Sequence, residues 1–452
     1  MQLSSFVIVD TTAEAPQAVL PQKRSLRALQ NILVFGLFVL LAFGVLAFGA
    51  VDEWSTFAFE VGVAILFLVW AARQVISDQL KLSRNPLYLP AALFFLLILA
   101  QILLRTTAYS YVTQYEAMRY LSYGIVMLVA AEYVQEETVR KQVVLAMIAF
   151  GTAYTIFALV QELAANGKIF WLHRPQFGGG IFGSYVNRNH YAGLIEMLVP
   201  FPLVVSMGHL IKKEKRAIVG FCAILMASTI FLSRSRGGMI AFALQIVLFA
   251  VLTLWQRRNP RVAGTLAVVC LLVLIFLFII GKGHVLGRLQ DLAPGTRLTM
   301  TLDCLKLYAK RPVLGWGLGT FPVVYPKYRS FYTSLFINEA HNDYAQLLAE
   351  MGTLGFALMV WFLARLYRYR WASSRRWEFK WDGALSLAAL LGCSGILLHS
   401  FVDFNLHIPG NAALFYALAA MAAANRDKTS NKGITPEKFS ASELANLKIG
   451  SK

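Results

Sequence analysis

Apolar residues run along this chain in long unbroken blocks, not in the alternating or three-to-four spaced stripes of a soluble core. Blocks long enough to cross about 30 Å of hydrocarbon lie near 31–51, 55–72, 87–104, 117–133, 142–163 and 191–209. Six more lie near 217–233, 238–255, 262–281, 350–367, 383–402 and 409–425. The pattern predicts an all-α polytopic membrane protein with about twelve transmembrane helices. It divides the chain into a disordered tail (1–30), a membrane domain (31–425) and a second disordered tail (426–452). The opening residues lack a basic stretch before an apolar one and do not read as a signal peptide, so 31–51 serves as an uncleaved first span. One connection, 282–349, is long and rich in Gly, Pro, Tyr and Phe, and is expected to fold against the bundle. Within it Leu298, Leu302, Leu305 and Ala309 recur at helical spacing while Asp303, Lys306 and Lys310 face elsewhere. That spacing predicts a short amphipathic helix lying on the membrane surface.

Composition sharpens the class. Of 452 residues, 58% are apolar and 15% charged, against roughly 25% charged in soluble domains; mean hydropathy is +0.58. Lys and Arg (42) outnumber Asp and Glu (24). In a soluble chain that surplus would suggest nucleic acid; here no nucleic-acid partner is expected, because the surplus sorts by loop. Lys23, Arg24 and Arg27, Arg73 to Arg84, Arg140 and Lys141, Lys212 to Arg216, Arg257 to Arg261 and Arg365 to Lys380 fall on alternate connections. The positive-inside rule then puts both termini in the cytoplasm and the 282–349 loop outside. Three of the four cysteines (Cys222, Cys270, Cys393) sit in apolar runs, leaving Cys304 alone in an aqueous loop, so no disulfide and no CxxC metal pair is expected.

Candidate chemistry gathers on the outer side. Arg234 and Arg236 occupy the tight turn SRSRGG, where Gly237 and Gly238 allow close backbone approach. Two guanidiniums at a membrane boundary suit an anionic ligand; the plainer reading is a snorkelling helix-end anchor. Arg188 lies in SYVNRNHYAG, where Asn187 or Asn189 can cap the following helix. Glu196 follows on nearly the same face, and a buried ion pair with one of these arginines is expected. His341 opens AHNDYAQLLAEMG, with Asn342 and Asp343 as helix-start residues. A helix N-terminus disfavours imidazolium, and neutral imidazole is the form a general base needs; a capping or packing histidine is the alternative. His399 and Asp403, four apart in HSFVDFNLHIPGN, read as a structural pair. GWGLGT (315–320) opens no βαβ unit and is not a dinucleotide site, and GGGIFG (178–183) is a flexible turn.

Taken in order, NRNHYAG, SRSRGG, PVLGWGLGTF, AHNDYAQLLAEMG and HSFVDFNLHIPGN resemble the O-antigen ligase and polymerase superfamily over roughly residues 30–425. The segment from His341 to Gly352 fits that family's His-x10-Gly signature. The resemblance implies a GT-C-like membrane glycosyltransferase of the bacterial inner membrane. Its donor is a glycan on undecaprenyl pyrophosphate, taken on the periplasmic face, and its acceptor is lipid A–core or another glycan hydroxyl. No metal or other cofactor is implied. His341 matches the essential histidine, Arg236 the arginine of the Ser-Arg-Gly turn, and Arg297 the arginine ahead of the loop's amphipathic helix. Arg188 matches a basic residue of one branch, and Arg288 with Leu292 fits an Arg-x3-Leu pattern, leaving Arg288 and Arg297 as alternatives. The expected pyrophosphate set is therefore Arg236, Arg297, Arg188, Arg234 and Arg288, with His341 catalytic and Asn342, Asp343, Gly352, Glu196, His399 and Asp403 in support. The bundle, in contact with membrane lipids, would supply a groove for the polyprenyl tail. Three other readings remain: polymerisation of lipid-linked repeat units, a metal-dependent enzyme using Asp52 and Glu53, and a lipid-linked glycan flippase.

Overall fold

The computed structural model describes residues 19–78, 80, 82–175, 180–257, 297–370 and 377–424. The expected span 262–281, together with Arg288 and Leu292, lies outside the described residues. Within them the secondary structure is helical, with two isolated β-bridges, Ile169 to His173 and Phe182 to Tyr185.

In chain order the helices are α1 (Val19–Leu46), α2 (Glu53–Ile76), α3 (Tyr88–Leu103), α4 (Ser110–Tyr133), α5 (Glu137–Leu163), α6 (Arg188–Leu198) and α7 (Pro200–Met207). They continue with α8 (Lys213–Leu232), α9 (Arg236–Arg257), α10 (Arg297–Lys310), α11 (Phe321–Val324), α12 (Asp343–Arg370), α13 (Trp381–His399) and α14 (Pro409–Ala423). Eight helical segments among the described residues are long and apolar enough to cross a membrane. The chain is thus a multi-pass membrane protein, and the expected twelve spans are not all matched. α3 and α14 fall on expected spans but have only 16 and 15 residues, too short to cross a bilayer unaided. α4 carries Glu116, Arg119 and Glu132 and is too polar to be counted. α1 begins at Val19, ahead of the expected start at 31, so residues 19–30 are helical rather than part of a disordered tail.

Two segments form the centre. The α6–α7 segment and α13 each bury 83% of their apolar window, against 22–39% for the other six. Pro200 and Pro202 divide α6 from α7, since proline lacks the N–H that would continue the ladder. α14 is alanine-rich and packs against α4 and α13, small side chains letting helix backbones approach. Gln245 of α9 donates to the Glu196 and Leu391 carbonyls, tying three central helices together.

The 297–340 segment folds against one end of the bundle. The α10 stripe is turned away from the protein, with Leu298, Leu302 and Leu305 exposed while Asp303, Cys304 and Leu307 are buried. This arrangement suits a helix whose leucines meet lipid. Asp303 accepts from Lys306, Ser330 and Tyr325. Burial would raise its carboxyl, but Lys306 and Ser330 outweigh that and hold it below its ordinary value. The glycine loop after α10 explains the paired glycines of the sequence. Gly352 breaks α12 with φ 61° and ψ −166°, and a Cβ there would stand 2.3 Å from the Val313 carbonyl oxygen. At the break, Trp316 and Gly317 amides donate to the Ala349 and Glu350 carbonyls, and Thr353 N–H to Pro312. GWGLGT is a docking loop, and Gly352 is the position on α12 that admits it.

Candidate active site

The first turn of α12 and the loop between α13 and α14 meet at this same end. Asn342 caps α12, its Oδ1 accepting from Tyr344 and Ala345 N–H at 3.1 Å each. His341, one residue earlier, sits in the left-handed region at φ 54°. This positive φ turns the chain into the helix and sets the imidazole toward the α13–α14 loop. Its Nδ1 lies 3.4 Å from Asp403 Oδ1.

Asp403 is the hub. Its carboxylate is fully buried and receives Asn189 Nδ2 of α6, Arg297 Nη2 at 3.2 Å and the Phe404 N–H at 2.9 Å. His190 Nε2 approaches to 3.9 Å. Burial alone would raise this carboxyl. His341, Arg297 and His190 more than offset it and hold it well below the usual carboxylate range. Arg297 also donates to the Val402 carbonyl, and Phe404 stands edge-on to both His190 and His341, at 4.7 and 4.8 Å. One buried carboxylate therefore holds an imidazole and a guanidinium together.

The other arginines border this hub. Asn187 caps α6 by accepting from Asn189 N–H at 2.9 Å, which places Arg188 at the helix start beside Asn189. A Cβ on Gly237 would meet His399 and Val402, so the Arg236 turn lies against the same loop whose Val402 carbonyl anchors Arg297. Arg188, Arg234 and Arg236 are exposed. This rim is cationic.

Two expectations change. Glu196 pairs not with an arginine but with His399, Nδ1 to Oε1 at 3.0 Å, both fully buried. His399 and Asp403 are consequently not partners. One turn of the chain separates them, since the Asp403 N–H donates to the His399 carbonyl, and they meet α6 at different positions, Asp403 at Asn189 and His399 at Glu196. The Glu196–His399 pair lies beneath the Arg236 turn, where a Cβ on Gly238 would come within 3.2 Å of Glu196. Asp343, two residues past His341, belongs to a second network: its Oδ1 meets His407 Nδ1 at 2.7 Å and its Oδ2 accepts the Leu406 N–H. His407 Nε2 lies 3.7 Å from Glu339, and Gln346 joins Glu339, His407 and Glu350. Burial disfavours the charged His407 ring, but Glu339 and Asp343 outweigh it and push its pKa up to about 10. Neither this network nor the roles of Asn189 and His190 are legible in the sequence. Their one signal is that NRNHYAG and HSFVDFNLHIPGN are dense in polar residues between apolar runs. Among the described residues no group of three or more His, Cys, Asp or Glu is placed to hold a metal ion.

An apolar cavity of about 420 Å³ opens beside the second network. It runs between α3, α4, α12 and α14, from Leu82 and Tyr88 at one end to Asp343, Glu350 and His407 at the other.

Residues 221–360 match the family model described as O-antigen ligase. This segment is similar to the O-antigen ligase family. The match agrees with the motif resemblance and supports a ligase- or polymerase-type function within that superfamily. No curated protein matches the chain. The matched segment contains Arg234, Arg236, Arg297, His341 and Gly352. The rest of the cluster, Arg188, Asn189, Glu196, His399 and Asp403, flanks it on both sides and joins it only in three dimensions.

Proposed function

We propose that this protein transfers a glycan from undecaprenyl pyrophosphate to a sugar hydroxyl of lipid A–core or another glycan, at the periplasmic face of the bacterial inner membrane. The observation that carries the reading is the shared carboxylate: Asp403 holds both His341 and Arg297. Nδ1 of His341 donates to Asp403, which fixes the tautomer and leaves the Nε2 lone pair toward substrate. That nitrogen takes the acceptor hydroxyl proton as its oxygen attacks the anomeric carbon. The bond from that carbon to the pyrophosphate oxygen breaks, and undecaprenyl pyrophosphate leaves with the electron pair. Arg297, Arg236, Arg188 and Arg234, with Arg288 as a further member of the set, take the charge that grows on the leaving oxygen. Asp403 stabilises the imidazolium that forms, and Asn342 and Asn189 keep the two helix starts in place around it. Glu196 and His399 support the Arg236 turn from below. A single displacement inverts the anomeric centre, and the guanidiniums do the work that a metal does in other glycosyltransferases.

The purified protein in lipid nanodiscs, given lipid-linked donor and each acceptor in turn, tests this reading by product mass. Expected is an acceptor heavier by the glycan, with release of undecaprenyl pyrophosphate. Extension of a second lipid-linked chain would assign polymerase activity. Movement of the donor across liposomes without covalent change would replace the transferase reading with a flippase.

A further inference from the structure

A second cavity lies away from the Asp403 hub, between the α3–α4 turn and the stretch that leads into the docking loop. It encloses about 410 Å³ and is lined by residues that include Arg105, Thr106, Thr107, Arg311, Val313 and Gly315. No Asp or Glu lines it. Arg311 is held in place: its Nη1 donates to the Thr106 carbonyl at 2.8 Å, and its guanidinium stands 4.2 Å from the Trp316 ring centre. The planar fork keeps further N–H groups for a ligand. Arg105 follows α3 in a Schellman turn, its N–H donating to the Ile102 carbonyl and the Thr106 N–H to that of Gln101. Its φ is 52°, the left-handed position that glycine usually fills, so arginine stands there against backbone preference. It also opposes the sorting of basic residues onto the alternate connections. A snorkelling anchor needs neither the strained turn nor a second guanidinium on the same cavity. Neither arginine forms an ion pair among the described residues.

Two positive charges on one cavity, with no acid between them, match a group that carries about two negative charges. A phosphate monoester carries roughly −1.5 to −2 at pH 7, and guanidiniums pair with its oxygens bidentately; a phosphodiester carries a single charge. Leu103, Leu104 and Val313 beside the cavity are 79%, 68% and 59% exposed, which sets it where the bundle meets lipid. We propose that this cavity binds a phosphate monoester carried by a membrane lipid, held between Arg105 and Arg311. Gly352 packs on Val313 and Gly315. The α12 segment from Asp343 to Met351, about 12 Å at 1.5 Å per residue, therefore separates the cavity from His341. A donor pyrophosphate stands at the reacting carbon and does not reach this cavity during transfer. The acceptor fits both places, its phosphate anchored here while its sugars extend along the start of α12 to His341. The term acceptor rests on the transferase reading above; the ligand class rests on the cavity alone.

The experiment uses the full chain in detergent micelles and measures bound lipid by native mass spectrometry. The probes are phosphatidate, phosphatidylglycerol, and lipid A with and without its phosphate monoesters, with inorganic phosphate as competitor. Expected is binding of phosphatidate and phosphorylated lipid A about tenfold tighter than the diester or dephosphorylated forms. Arg105→Gly should weaken that binding about tenfold while the thermal midpoint holds or rises, because glycine suits the turn. Arg311→Ala is a second variant with the same expected loss. Equal binding of phosphatidylglycerol and phosphatidate overturns the monoester assignment. Displacement of the lipid by equimolar inorganic phosphate overturns the lipid-borne one, and full binding by a folded Arg105→Gly protein overturns the site. In transfer, Arg105→Gly should raise the KM for phosphorylated acceptor and leave the donor KM unchanged; the reverse pattern overturns the acceptor assignment. Lipid binding needs no turnover. A wild-type protein that binds phosphatidate through Arg105 but transfers no glycan would therefore sink the proposed function and leave this site standing.

Discussion

Replacing Asp403 by Asn keeps the shape of the hub and removes its charge. His341 Nδ1 stands 3.4 Å from the carboxylate. At an effective dielectric of ~20, a unit charge pair at that distance is worth about 5 kcal/mol. The His341 side chain is 27% exposed, and solvent screening reduces the benefit to a developing imidazolium to roughly half, about 2–3 kcal/mol. Each 1.36 kcal/mol in the barrier is tenfold in rate, so kcat should fall about 10²-fold. The assay is single-turnover transfer at saturating donor in nanodiscs, with the thermal midpoint recorded for each variant to confirm folding. His341→Ala and the double variant complete the cycle. If Asp403 acts through His341, the double variant is no slower than His341→Ala alone. A folded Asp403→Asn protein within threefold of wild type, or a double variant slower than His341→Ala by the full factor of Asp403→Asn, would refute the coupling.

Arg297→Ala and Arg236→Ala should each raise the donor KM more than tenfold, since charge-assisted contacts to phosphate are each worth about 1.5–3 kcal/mol; unchanged donor KM in both would remove them from the clamp. Gly352→Ala should lower the thermal midpoint, because a positive φ costs about 1–3 kcal/mol in a residue with a Cβ and the new methyl meets the Val313 carbonyl. Equal melting of that variant and wild type would show that the docking loop yields without cost. His407 carries a folded pKa of about 10 against roughly 6.5 in an unfolded chain. The stability it contributes by being charged is therefore fully present below pH 6.5 and lost as pH rises through 10. His407→Gln should destabilise at pH 6 and nearly match wild type above pH 10, as read from paired melting curves; a gap that stays constant with pH would contradict the ion pairing.

Much of the membrane architecture is legible in the chain because the bilayer imposes one length and one polarity on every spanning helix. The expectation fails where those demands relax. α3 and α14 are short, α4 carries charges along its length, and the proline pair divides α6 from α7. Motif order singled out His341, Arg236, Arg297 and Gly352 as candidates without a fold. It misassigned Glu196 and His399, since a partner 203 positions away leaves no trace in local spacing.

The sequence by itself determined that the protein lives in a membrane, that helices start at Asn187 and Asn342, and which residues resemble a ligase signature. Hydropathy, capping and a glycine that alone tolerates φ 61° are local properties, written within a few residues of where they act. Only the tertiary structure decided that Asp403 joins His341 to Arg297, that Asp343 turns instead to His407, and that an apolar cavity opens beside that second network. Those facts depend on which helix ends share one small volume, and that is fixed by the packing of α6, α12 and the α13–α14 loop rather than by any stretch of chain.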